Sequence, residues 1–373
     1  MKLDNVWFEG RRCDVTMDGS GAVTAQPTAG GPTGGTVSRP FSEPHVHLDA
    51  ALLGRRAPNR SGTLVEGIRN WAQLREDLTE GDVRSRALQT IEMYAKWGCT
   101  RIRTHVDTGS LLAVETLCAL RDEVDIELQV VAFPQEGILR APGRRHDWET
   151  AVAMGVDAVG AIPHFERTTE EGWESLRIAM DLAEKHDLQV DVHCDETDDP
   201  GSRNLEVLCA LAMDRGVGSR VIAGHCTAMH SYPDPYAAKV CTLVAESGIQ
   251  VVCNPLDNIV LQGRYGGYPK VRGLTRVDEL WAAGATVGIG HDSVIDPWYR
   301  LGTANLLDAA YMLVHAGHLT GEDEMFRVFR ALAEDNGRCF RTPTTGLLHW
   351  PDCTDPIDVL RTRAAPQMNI GTA

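Results

Sequence analysis

Eight short apolar runs recur along the middle of the chain, with amphipathic stretches between them. The runs are "HVHLDA" (45–50), "TRIRTHVD" (100–107), "IELQVVAF" (126–133), "DAVGAI" (157–162), "LQVDVHC" (188–194), "SRVIAGHC" (219–226), "IQVVCNP" (249–255) and "ATVGIGHD" (285–292). Segments such as "TTEEGWESLRIAMDLAEKHD" (168–187) and "SRNLEVLCALAMDRG" (202–216) read as helices between them. Strands alternating with helices imply parallel pairing through crossovers. Eight such units close into a (β/α)8 barrel. The rival is a doubly wound open sheet, but the Gly-x-Gly-x-x-Gly turn that would favour it is missing after the first run. The expected fold is therefore α/β, a TIM-like barrel over residues 39–340.

The two ends differ from this rhythm. "QPTAGGPTGGTVSRP" (26–40) is turn-rich, and a short β-like stretch, "DNVWFEGRRCDVTMD", precedes it. The tail "RTPTTGLLHWPDCTDPIDVLRTR" again mixes turns with brief apolar pieces. Residues 1–38 and 341–373 are expected to form the two parts of a small accessory β layer.

Composition removes several function classes. Acidic residues number 52 against 36 Lys and Arg, a net charge of −16. A nucleic-acid partner needs clustered cations, so none is expected. No run reaches the ~18 apolar residues of a membrane span. "MKLDNVWFEG" lacks the apolar centre of a secretory signal. The ten cysteines include no C-x-x-C pair, which suits reduced thiols packed as small hydrophobes. These features point to a cytoplasmic enzyme with a small-molecule partner.

The polar residues share an address. His45, His47, His105, Asp107, Gln135, His164, His193, His225, Asn254 and Asp292 all stand at the ends of runs. In an α/β barrel, chemistry gathers at the C-terminal strand ends. His45 and His47 are two apart, so on a strand both face one side. With His193 and Asp292 they offer three nitrogens and a carboxylate, a set for one divalent ion, zinc or iron, with a position open for water. Such an ion lowers the pKa of its water toward neutral. Glu196, three residues after His193, is a candidate proton shuttle. Acids are also favoured at helix starts, and "DETDD" leaves the choice among its carboxylates open. His225 in "AGHC" could steady the nucleophile, polarise the reacting carbon or be structural. "HFE" (164–166) resembles half of the zinc cytidine-type deaminase motif, but the P-C-x-x-C that motif needs is missing. Cys194 is turned away from the metal by alternation and reads as packing.

"EPHVHLD", "SGTLVEGI", "RTHVD", "VAFPQEGIL", "VGAIPHFE", "DVHCDE", "TAMHSY", "NPLDNIVLQGR", "GHDSVIDPWY" and "LGTAN" occur in that order between about residues 40 and 305. In them the chain resembles the bacterial cytosine deaminases of the amidohydrolase superfamily. The resemblance implies a (β/α)8 barrel in a homo-oligomer with one iron or zinc ion, acting on a free nucleobase. It makes His45, His47, His193 and Asp292 the metal ligands and Glu196 the proton shuttle. His225 faces the metal-bound water. Gln135 reads the amide edge of the base and Trp298 walls the pocket.

One position departs from the pattern. The family commonly carries a second aspartate directly after the metal aspartate, and Ser293 stands there instead. Serine is smaller and uncharged, and its hydroxyl both donates and accepts. The expectation is a site that admits a C5 methyl, so that 5-methylcytosine is deaminated alongside or instead of cytosine. Isocytosine, isoguanine, creatinine and amino-triazines are alternatives on the same scaffold. A metal-binding barrel without catalysis is the non-enzymatic alternative. Ring-opening relatives often bridge two metals through a lysine on the fourth strand, and the fourth run here has none.

Overall fold

The computed structural model describes residues 1–28, 30–340 and 342–369. Four strands open the chain: β1 (Lys2–Phe8), β2 (Arg11–Met17), β3 (Val23–Pro27) and β4 (Thr36–Ser38). Eight follow: β5 (Phe41–Val46), β6 (Cys99–Asp107), β7 (Glu127–Phe133), β8 (Ala158–Ala161), β9 (Gln189–Cys194), β10 (Val221–His225), β11 (Gln250–Cys253) and β12 (Thr286–Ile289). Two come last, β13 (Leu347–Trp350) and β14 (Gln367–Asn369).

Strands β5 to β12 form one parallel sheet in sequence order. Helices separate them, as the sequence rhythm requires; Thr169–His186 and Asn204–Arg215 match the two amphipathic segments closely. The sheet closes on itself where Val46 bridges Asp292 in parallel. That seam is short, and a side chain completes it. The Asn336 amide donates to Ser42 O and Ile289 O, both at 2.8 Å, and accepts from Ile289 N at 2.7 Å. One buried carboxamide thus supplies the ladder bonds that β5 and β12 do not make with each other. The chain is a (β/α)8 barrel with an accessory β layer from its two ends.

That layer is the second sheet, ordered β14-β13-β4-β1-β2-β3. It has its own small core of Val6, Phe8, Cys13, Val15, Val37 and Leu347. Trp7 meets Phe326 of the barrel's outer helix Glu322–Ala331, with ring centroids 4.8 Å apart.

The lower interior of the barrel is polar. Arg103 is fully buried and donates to Gln129 Oε1, Asp191 Oδ2 at 2.8 Å, Gln189 and Cys339 O. A buried guanidinium persists only with such complete pairing. No helix among the described residues is long and apolar enough to cross a membrane.

The first apolar run is displaced from its strand. β5 ends at Val46, and His47 to Ala50 form a turn. After Val46 the chain leaves the ladder: Leu48 N bonds the Thr104 hydroxyl at 2.9 Å and Ala51 N bonds His47 O at 2.9 Å. Leu48 of this turn and Ala51 beyond it pack into the main core, while Ala50 and Leu53 meet Trp71 in a small cluster. His45 therefore lies on the strand and His47 just beyond it, rather than both alternating along one strand.

Candidate active site

His45 and His47 reach the barrel mouth from the end of β5, His193 from β9, His225 from the last residue of β10, and Asp292 from just after β12. His225 (φ 64°) and Asp292 (φ 67°) both hold left-handed backbone, as do Asp195, Cys226 and Ile295 nearby. Such conformations cost about 1–3 kcal/mol each and gather where a site dictates geometry.

The donor atoms converge. His193 Nε2 lies 3.2 Å from His45 Nε2 and 3.3 Å from His47 Nε2. Asp292 Oδ1 lies 3.8 Å from His45 Nε2 and 3.6 Å from His47 Nε2. Tetrahedral ligands on bonds of ~2.0–2.1 Å stand about 3.3 Å apart, so this spacing suits one zinc-sized ion. Burial holds all three histidines neutral, with His47 pushed down to about 3. Burial and neighbouring carboxyl groups push Asp292 up. Among the described residues lining the cavity there is no Lys or Arg. A cluster of buried carboxyl groups and neutral imidazoles with no internal cation fits a bound divalent ion.

Two further histidines crowd this cluster, and their hydrogen bonds set them apart. Donor atoms of His45, His105 and His193 lie within 4.8 Å of one another, as do those of His45, His225 and Asp292. Asn254 N donates to Asn258 Oδ1 at 3.1 Å, so Asn258 turns its Nδ2 to His225 Nδ1 at 3.0 Å. That leaves the His225 proton on Nε2, 3.9 Å from Asp292 Oδ2, and a protonated nitrogen is a donor, not a ligand. His105 stacks on His45, and its Nε2 is engaged 3.0 Å from Asp191 Oδ1. By contrast, His47 Nδ1 donates to His105 O at 3.0 Å, which frees Nε2 as a lone pair.

A small cleft opens beside these donors. Gln135, Glu196, Ser293 and Trp298 line it. Glu196 receives Gln262 Nε2 at 3.3 Å, and its Oε1 lies 3.9 Å from His225 Nδ1. Burial pushes its carboxyl up to about 8.

Helix Leu64–Leu74 forms one rim. Thr63 caps it by accepting from Glu66 N at 3.3 Å. It brings Leu64 to the cavity and sets Gly67 against Trp298, where a Cβ would come within 2.4 Å of the indole. Only glycine allows that approach.

The loop bearing Gln135 is gripped from two sides. Glu136 receives Arg75 at 2.6 Å and also pairs with Arg144. Glu166 receives Ile138 N at 2.7 Å and Leu139 N at 3.1 Å. Gly137, at φ 78°, lies against that carboxyl, which a Cβ would meet at 2.7 Å.

The structure thus gathers His45, His47, Gln135, His193, Glu196, His225, Asp292, Ser293 and Trp298 at one mouth. Sequence reasoning passed over Asp257, Asn258, Gln262 and Glu166. The first three stand in "NPLDNIVLQGR", a stretch that marked the resemblance without suggesting a role. Glu166 was the acid of the rejected "HFE". Cys194 is fully buried in the main core.

A barrel whose mouth carries this donor set is the architecture of metal-dependent hydrolases. The profile of the Amidohydrolase family matches residues 75–334, and the chain belongs to that family. It is an aminohydrolase. A solved 5-methylcytosine deaminase from Klebsiella pneumoniae, liganded with 5-fluorocytosine, is 38% identical with a TM-score of 0.91, covering 99% of this chain and 94% of that one. The phosphonocytosine-liganded form is 39% identical with a TM-score of 0.91, covering 98% and 95%. A pterin deaminase from Rhizobium rhizogenes is 27% identical over 328 residues, 85% of this chain and 74% of the relative.

Proposed function

We propose that this chain deaminates a free cytosine-type base by hydrolysis, taking 5-methylcytosine alongside or instead of cytosine. The observation that carries the reading is the set of four donors from His45, His47, His193 and Asp292, with the Glu196 carboxyl on the wall of the same cavity. The likeness to the 5-methylcytosine deaminase supports the choice of base.

When bound at the four donors, zinc or iron supplies an activated water. The chain's own residues do the rest. Gln135 turns its carboxamide to the amide edge of the base, donating to an oxygen or nitrogen and accepting a neighbouring N–H. Trp298 and Leu64 wall the ring. Glu196 passes its carboxyl proton to a ring nitrogen, which makes the amine-bearing carbon electrophilic. His225 presents Nε2–H toward the reacting centre. Water oxygen bonds to that carbon, and one water proton returns to the Glu196 carboxylate, which thus acts as a shuttle. The other goes to the exocyclic nitrogen, the C–N bond breaks, and ammonia leaves with a carbonyl in its place.

Ser293 sets the choice among bases in this reading. It is buried beside Asp292 and lines the cavity. A serine where relatives carry aspartate leaves room next to the ring for a methyl group. The test is ammonia release by metal-quantified protein across cytosine, 5-methylcytosine, isocytosine, isoguanine and creatinine. Release from the first two, with uracil and thymine formed, supports the reading; release from the others alone overturns it.

A further inference from the structure

The carboxyl of Asp257 is placed for a partner the chain does not provide. It stands in the first turn of helix Pro255–Leu261, just after β11, and is 2% exposed. Its Oδ2 accepts the Ser293 hydroxyl at 2.5 Å. Its Oδ1 receives no donor from the chain: the neighbouring side chain is the carboxyl of Asp292, which as a proposed metal ligand has no proton to give. The residue lines the same cavity as Gln135, Glu196 and Ser293. A buried acceptor left unmet carries its full desolvation cost, so a donor is expected from the ligand.

We propose that Asp257 is a substrate-binding residue whose Oδ1 accepts an N–H of the base's exocyclic amine. The inference rests on the deaminase reading above and deepens it. Gln135 takes the amide edge in that reading and Glu196 a ring nitrogen, so the amine is the donor still unmatched. Asp257 is on the correct side, because it is bonded to the residue that follows the ligand Asp292. The amine-bearing carbon must sit at that edge to meet the activated water.

The same contact explains Ser293. Here the carboxyl comes from the neighbouring strand end, and the serine hydroxyl donates to it and holds it in place. An acceptor for the amine is kept, and it is set back from the ring. The substrate class is thus a primary amino-pyrimidine carrying a substituent next to the amine-bearing carbon.

Binding separates this role from general support of the pocket. Glu196→Gln, expected to bind without turnover, is compared with Glu196→Gln/Asp257→Asn, both metal-loaded and metal-quantified. Titration with 5-methylcytosine should show affinity at least about tenfold weaker in the double variant, because an amide that gives its oxygen to Ser293 turns N–H toward N–H. Titration with thymine, which lacks the amine, should show affinities equal within about twofold. Equal affinity for 5-methylcytosine in the two proteins overturns the inference. So does parallel loss of both ligands, or loss of metal from the Asp257→Asn form. If the unmodified protein releases no ammonia from cytosine or 5-methylcytosine, the deaminase reading fails and this inference with it. Ammonia release together with equal binding removes Asp257 alone.

Discussion

The backbone N–H of Asp292 donates to the carbonyl of His45 at 3.0 Å. The first and last strands of the barrel therefore meet at two of the proposed metal ligands, and closing the sheet also closes the site. Strand closure and ligand placement become one event in space, although 246 residues lie between the two in the chain.

The seam supplies the first prediction. Asn336→Ala removes the amide that bridges Ser42 and Ile289 and leaves buried backbone groups unpaired. Each such group costs about 1–3 kcal/mol. The denaturant midpoint should fall accordingly, and saturating metal should recover part of it, since a ligand of the folded state stabilises it.

His45→Asn should lose metal and activity together. The variant keeps a polar side chain but removes the nitrogen 3.2 Å from His193 Nε2. Elemental analysis of purified protein checks this, and a metal content equal to wild type would remove His45 from the ligand set.

Glu196→Gln should keep full metal content and lose turnover by about 10²–10⁴-fold, the usual worth of a positioned acid–base group. Its carboxyl accepts from Gln262 and is not among the four converging donors. Near-full activity would exclude it as the proton carrier.

Ser293→Asp should shift preference from 5-methylcytosine toward cytosine. The longer carboxylate fills space beside the ring and repels Asp257, to which the serine now donates at 2.5 Å. A methyl group is worth about 1–3 kcal/mol in discrimination, so the ratio of kcat/KM values should move about 10- to 200-fold. An unchanged ratio would remove Ser293 from base selection.

Glu166 should act through Gln135. Its carboxyl fixes Ile138 N and Leu139 N in the loop that carries that glutamine. Glu166→Ala should lower kcat/KM about 10- to 100-fold through misplacement of Gln135. Glu166→Gln, which keeps one acceptor oxygen, should restore part of the loss. KM should change more than kcat, and metal content should stay constant.

Much of this was legible in the sequence because it is periodic. The run at 100–107 became β6 and that at 126–133 became β7 within a residue: in the first, Ile102 and Val106 alternate with Arg103 and His105, and the second is apolar without a break from Val130 to Phe133. The first run misled because its second half packs from a turn and not from the strand: Leu48 enters the main core and Ala50 meets Trp71. The proposed ligands were readable because each ends a strand or stands just past one. Asp257 and Glu166 were not, because their meaning lies in contacts made across 36 residues to Ser293 and 28 to Ile138. Nothing local distinguishes either acid from a solvated one at a helix start or in a loop.

The most direct test of the central claim is turnover of 5-methylcytosine per bound metal. Protein of measured zinc and iron content is incubated with the base, and ammonia and thymine are quantified together. The account predicts equal amounts of both products, at a rate proportional to metal occupancy and abolished by chelation. Metal-replete protein that leaves 5-methylcytosine and cytosine unchanged would contradict it.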